Sequence, residues 1–196
     1  MRAFYIAVAV VGLGVGAVAA YLAGRAPSDS GGSGEFVSGP QIGAKVPGAF
    51  EPLHVNGPDR GDEACVFCKY GNSPVVMIFA QKPSDALAVL VRKVEKAAAE
   101  AIGGEVGACV VVTDTSDATK AALTKLADKE NLKHVILAVI EPQKLKRYAL
   151  HSDAEVTALL YSKQVVRANH AFKAGELTEK IVGEIADEAA NLYAGK

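Results

Sequence analysis

A chain of 196 residues, half of them hydrophobic, with a formal net charge of -1, is long enough for one globular domain with a proper core and too short for two sizeable ones. The near-neutral balance, with a pI near 6.4, argues against a nucleic-acid binder, which needs a basic face to meet phosphates. No run of like charges marks an acidic or basic tail, and the absence of Trp removes a Trp stacking platform.

The chain opens on Arg2 and an uncharged apolar run from Ala3 to Gly24. A secretory apolar region is about 7–15 residues long, and a membrane-crossing helix needs about 20. The run fits the second length but is rich in Gly and Ala, and Ala17, Ala19 and Ala20 offer a small-residue cleavage site. No Cys follows it closely, which excludes a lipoprotein anchor. Residues 1–25 are read as a signal peptide or membrane anchor, and either places the remainder outside the cytoplasm, periplasmic or secreted. The glycines of Val10-Val11-Gly12-Leu13-Gly14-Val15-Gly16-Ala17 imitate a dinucleotide-binding turn. That reading also requires a strand, a polar-faced helix and an acid about 20 residues on, and Asp29 falls instead in a Ser/Gly stretch.

Residues 26–40 are Gly/Ser-rich with no apolar face to bury, which predicts a flexible linker and a folded domain over residues 41–196. Val75–Ala80 is a continuous apolar run, as expected of a strand covered on both faces. Pro83-Ser84-Asp85 starts a helix whose apolar residues recur from Leu87 to Ile102, with Gly103-Gly104 ending it. Ala108–Thr113 is a second strand, Ala118 to Lys129 a helix, His134–Ile140 a third strand and Lys144–Leu150 a short helix. Val156–Tyr161 and Gln164–Ala168 form a hairpin about Ser162-Lys163, and residues 175–193 a closing amphipathic helix. Alternating strands and helices followed by a hairpin predict an α/β fold, with a mostly parallel central sheet, helices on both faces and antiparallel pairing at one side.

This order of elements resembles a thioredoxin-like fold, and within it the peroxiredoxin and extracytoplasmic thiol-disulfide oxidoreductase branch. Ile42–Leu53 is similar to that branch's opening segment, with a Gly, a Pro and an aromatic leading into a strand. His134–Leu150 is similar to its insertion. The resemblance implies a catalytic cysteine after the first core strand, where amides and the helix dipole stabilise a thiolate. The matching stretch, Ala80-Gln81-Lys82-Pro83-Ser84-Asp85, holds no cysteine, which makes peroxidase activity an unlikely inheritance. The family's cis-proline beside a Thr maps to Val156 and Thr157, so the Thr is kept and the proline is not.

The remaining chemistry is the pair Cys65 and Cys68, ahead of the strand rather than after it. Residues Asp62–Gly71 are expected to form a two-turn helix capped by Asp62, with both cysteines on one face. Asp62 and Glu63 oppose thiolate formation there and Lys69 favours it. The adopted reading is a relocated thiol-disulfide redox centre that exchanges with protein thiols or disulfides, with no cofactor and with Cys65 as the attacking sulfur. A structural disulfide is the non-catalytic alternative. A third reading is a Cu or Zn site completed by His54 or His170. Covalent c-type haem fails on Lys69, which stands where the attachment motif needs His. Cys109 falls within a buried-strand pattern and reads as a core residue. Asp114 and Asp117 read as helix caps, and Lys144, Lys146 and Arg147 as a solvated helix face. Oligomeric state is not legible.

Overall fold

The computed structural model describes residues 36–102 and 105–195. The signal or anchor segment, most of the linker and Gly103-Gly104 lie outside the described residues. In chain order the elements are β1 (Leu53–His54), α1 (Val66–Tyr70), β2 (Val75–Ala80), α2 (Asp85–Ala99), β3 (Gly107–Val112), α3 (Asp117–Glu130) and β4 (Val135–Val139). A 3₁₀ helix (Pro142–Tyr148), β5 (Val156–Ser162), β6 (Val165–Phe172) and α4 (Glu179–Tyr193) follow.

The six strands form one sheet in the order β1-β4-β3-β2-β5-β6. β2 pairs with β3, and β3 with β4, in parallel. The β1–β4, β2–β5 and β5–β6 pairs are antiparallel. The sheet is therefore mixed rather than mostly parallel. Only α2 and α3 are crossover connections, whereas β1 arrives from the opening segment and β5–β6 return as a hairpin. Both crossovers step the same way along the sheet, so right-handed connections place both helices on one face. That face buries Val76, Ile78 and Ala80 of β2 against Leu87, Leu90 and Val94 of α2, Leu123 of α3, and Val182 and Ile185 of α4. The opposite face buries Val75, Met77 and Phe79 under the opening segment (Val46, Phe50), α1 (Val66, Tyr70) and the 3₁₀ helix (Leu145, Tyr148). Helices do cover both faces, but all three long ones share the first. The unbroken apolar run of β2 reflects this double burial.

Each long helix starts on a side-chain cap: Ser84 Oγ accepts from Leu87 N, Ser116 Oγ from Thr119 N and Thr178 Oγ1 from Ile181 N. Asp85, Asp117 and Glu179 follow in the first turns, where they favour the helix dipole. Helix α2 stops at Ala99 although apolar spacing continues. Ala101 N donates to Ala98 O at 3.3 Å, tightening the last turn, and Ile102 is 91% exposed. In α3 the buried positions are Thr119, Leu123 and Ala127, and Ala122 is exposed. The hairpin turn lies one residue later than expected, at Lys163-Gln164, with φ of 53° and 61°. Two consecutive left-handed residues are what a two-residue turn needs to match strand twist.

The folded unit begins at Phe36, which corrects the expected linker over its last five residues. Ser38 is buried, its Oγ lies 2.7 Å from Thr157 Oγ1, and Asn169 Nδ2 donates to Ser38 O and Pro40 O. Composition marks Ser38-Gly39-Pro40 as linker, but the chain's own β5 and β6 supply polar partners.

Candidate functional site

Cys65 and Cys68 are joined in a disulfide, with Cα atoms 5.3 Å apart, well within the reach of a bridge. The helix that carries them is one turn shorter than expected. Cys65 rather than Asp62 is its N-cap, and Cys65 Sγ accepts from Cys68 N at 3.0 Å. Asp62 spends its carbonyl on His54 N, and the Glu63 carboxylate on Lys144 Nζ at 2.9 Å. Asp62 is therefore not the cap, and the Glu63 carboxylate is held by Lys144. Cys65 is half-buried and Cys68 exposed.

The helix is anchored from beneath. Val66 and Tyr70 are buried, and the Phe67 ring centre lies 6.5 Å from that of Tyr161. Tyr70 lies flat against Gly107 at the start of β3, where an added Cβ would stand 2.6 Å from its ring. Gly71, with φ of 51°, closes the helix through its N–H to Phe67 O.

The loop leading to Cys65 is tied to β1 through His54. Gly61 N donates to His54 O, Ala64 N to Pro52 O and His54 Nε2 to Ala64 O at 3.1 Å. A carbonyl only accepts, so Nε2 carries the proton and Nδ1 is a bare acceptor. Nδ1 is buried without a hydrogen bond, 3.8 Å from Asp59 Oδ2. Burial lowers the His54 pKa, against the opposing pull of the Ala64 hydrogen bond and Asp59. Asn56 completes the β1 edge: Nδ2 donates to Val135 O at 2.9 Å and Oδ1 accepts from Leu137 N at 2.7 Å. Sequence reading missed Asn56; its buried place between a short strand and a glycine turn leaves no periodic signal.

His54 and His170 cannot both complete a site on Cys65 and Cys68. His54 lies on β1 and His170 on β6, the two outer strands of the sheet. Five strand spacings, about 24 Å, separate them. His170 Nε2 is 2.7 Å from Glu188 Oε2 on α4. Among the described residues no group of three or more His, Cys, Asp or Glu side chains is placed to hold a metal ion. Cys109 is 1% exposed in the core, and burial pushes its thiol up to about 12. The cap of α3 is Ser116 rather than Asp114, which lies two residues earlier and accepts from Ser116 N and Thr119 Oγ1. Asp117 instead pairs with Lys120 at 3.1 Å.

The stretch where the resemblance places a catalytic cysteine joins β2 to α2, and its Ser84 is spent as a helix cap. It borders a cavity of about 690 Å³ at the C-terminal ends of β2 and β3, bounded on the far side by the 3₁₀ helix and the segment before β5. Neither Cys65 nor Cys68 lines it. Tyr70, two residues beyond Cys68, packs at the start of β3, and the cavity opens at the other end of that strand, about 20 Å along it.

No protein-family model matches the sequence, and no curated protein matches it. Solved structures do match in three dimensions. A secreted disulfide oxidoreductase of Mycobacterium tuberculosis, homologous to E. coli DsbE, superimposes with a TM-score of 0.53 at 13% identity, over 75% of this chain and 96% of that one. The thioredoxin domain of a thiol-disulfide oxidoreductase from Bacteroides vulgatus gives 0.55 at 9% identity, over 76% and 99%. A peroxiredoxin-like protein from Aquifex aeolicus gives 0.51 at 16% identity, over 79% and 90%. Together with the strand order and the α2 and α3 crossovers, these matches identify the architecture: the chain has a thioredoxin-like fold.

Proposed function

We propose that this protein is an extracytoplasmic thiol-disulfide exchange protein whose redox centre is Cys65–Cys68, displaced from the site its fold ordinarily uses. The observation that carries the reading is a disulfide between an exposed and a half-buried cysteine on a core-anchored turn of helix. A partner thiolate attacks the exposed Cys68 Sγ, the Cys65–Cys68 bond breaks, and Cys65 leaves as a thiolate that keeps its hydrogen bond from Cys68 N. A second partner thiolate then attacks its own sulfur in the mixed disulfide and releases Cys68. The partner is oxidised by two electrons and this pair is reduced. In reverse, Cys68 attacks a partner disulfide and Cys65 resolves it. Export is supported by the apolar run before Gly24 and by the disulfide itself, which persists in oxidising compartments.

The test combines a glutathione redox titration of the full chain with trapping by single-cysteine variants. Cys65→Ser is expected to attack a small disulfide probe such as oxidised glutathione, forming a mixed disulfide on Cys68 and releasing one probe thiolate, and Cys68→Ser to do so much more slowly. A potential below about −300 mV together with no exchange would leave the bridge as a structural staple only.

A further inference from the structure

The cavity beside β2 has a chemistry of its own. Its floor is buried and largely apolar: Phe79, Ala80, Leu145 and Ala154 are each under 10% exposed. Its rim is exposed and carries Lys82, Lys146 and His151. Among the described residues neither lysine has an ion pair or a side-chain hydrogen bond, unlike Lys144, two residues before Lys146, which is paired with Glu63. His151 Nδ1 accepts from Asp153 N at 3.0 Å, so its neutral ring carries the proton on Nε2, where it is available to a ligand.

Several polar groups of the lining are tied to the fold. Thr113 Oγ1 donates to Ala80 O, Gln81 Nε2 to Ser152 O and Ala154 O, and Thr157 Oγ1 meets Ser38 Oγ. Asp114, the one carboxylate in the lining, accepts from Ser116 N and Thr119 Oγ1. The rim carries two lysines, Lys82 and Lys146, against one carboxylate, Asp114, which leaves it net positive. The cavity's volume lies within the range of small-molecule sites, about 300–1,000 Å³.

We infer that this cavity binds a small amphiphile, an aliphatic body on the Phe79–Leu145–Ala154 floor with a carboxylate head held by Lys82, Lys146 and His151. Charge complementarity selects the head, and the apolar floor selects the body. The site makes no use of the Cys65–Cys68 disulfide and stands or falls separately from it.

The test uses the full chain with dodecanoate as probe and dodecanol as the uncharged control, followed by displacement of a fluorescent naphthalene sulfonate. Dodecanoate is expected to bind saturably at one equivalent. The Lys82→Glu/Lys146→Glu variant is expected to weaken it by at least about tenfold while leaving dodecanol unchanged. Both positions are exposed and unpaired, so the variant should melt with the parent. Leu150→Asp, which puts a negative charge beside the floor, should weaken both ligands and report the body's position. Equal dodecanoate affinity in parent and charge-reversed chains would overturn the inference by placing binding elsewhere, on the N-terminal apolar run for example. So would the absence of saturable binding.

Discussion

Replacing Gly107 with alanine tests how the disulfide-bearing helix is held. The new Cβ would stand 2.6, 2.8 and 3.0 Å from Cδ2, Cγ and Cε2 of Tyr70. These atoms include the root of the ring, not its flexible far end, so relief requires α1 itself to move. The backbone of Gly107 has little room to retreat, since Tyr193 Oη donates to its carbonyl at 2.8 Å. Overpacking of this kind costs about 1–3 kcal/mol. Alanine in a strand recovers about 0.5–1 kcal/mol relative to glycine, leaving a net loss of about 1–2 kcal/mol. For a domain of this size that lowers Tm by about 2–8 °C. The assay is urea unfolding of the disulfide-intact chain, with Tyr70→Ala as second background. Tyr70→Ala alone should cost about 3–5 kcal/mol, but once the ring is gone Gly107→Ala should be neutral or stabilising. If Gly107→Ala destabilises both backgrounds equally, or neither, the contact does not hold α1 and the reasoning is refuted.

Asn56→Ala should cost about 2–4 kcal/mol in the same assay, because Val135 O and Leu137 N would both be buried without partners; a loss under 0.5 kcal/mol would show that water replaces them at no cost. His54 is held neutral, its pKa lowered below 6.5 by burial. As pH falls through 6.5 the unfolded chain takes up this proton first, so stability should decline from about pH 6.5 toward 5. The decline should be absent in His54→Gln. Glu95 and Asp114 also have lowered pKa values. For Glu95 burial pushes upward but is outweighed by hydrogen bonds from His134 and the amides of residues 133–135. For Asp114 the leading cause is the Ser116 amide. Their contributions are lost only below 4.5 and 3.8 respectively, outside the His54 window. Reducing Cys65–Cys68 should cost about 2 kcal/mol, the loop-closure value for a four-residue ring, and lower Tm by about 4–8 °C. Parent and Cys65→Ser/Cys68→Ser chains should then coincide under reducing conditions.

Much of the fold was legible because its signals are local. Val75–Ala80 reads as a doubly covered strand from its six apolar residues, and Ser84, Ser116 and Thr178 stand where caps are needed before amphipathic helices. The hairpin and the closing helix were likewise visible in short-range pattern, and the order of elements carried the thioredoxin-like resemblance. The empty catalytic position at Gln81–Asp85 needed no coordinates either. The errors fall where a distant partner decides the outcome. Ser38-Gly39-Pro40 has a linker's composition, yet Thr157 and Asn169 order it. Asp62 has a cap's identity, yet its backbone is drawn to His54 and the cap passes to Cys65.

What the sequence determined by itself, then, is which segments are strands and helices, since hydrophobic period and capping act over a few residues. It also determined that one cysteine pair lies ahead of the first core strand. Only the tertiary structure decided which face each helix covers, that β1 and β6 hold His54 and His170 at opposite edges, and that Cys68 is more exposed than Cys65. Likewise only packing left Lys82, Lys146 and His151 uncommitted around an apolar floor. Such properties depend on what lies against a residue through space, and neighbours brought together from more than 100 positions apart, such as Ser38 and Thr157, leave no trace in local pattern.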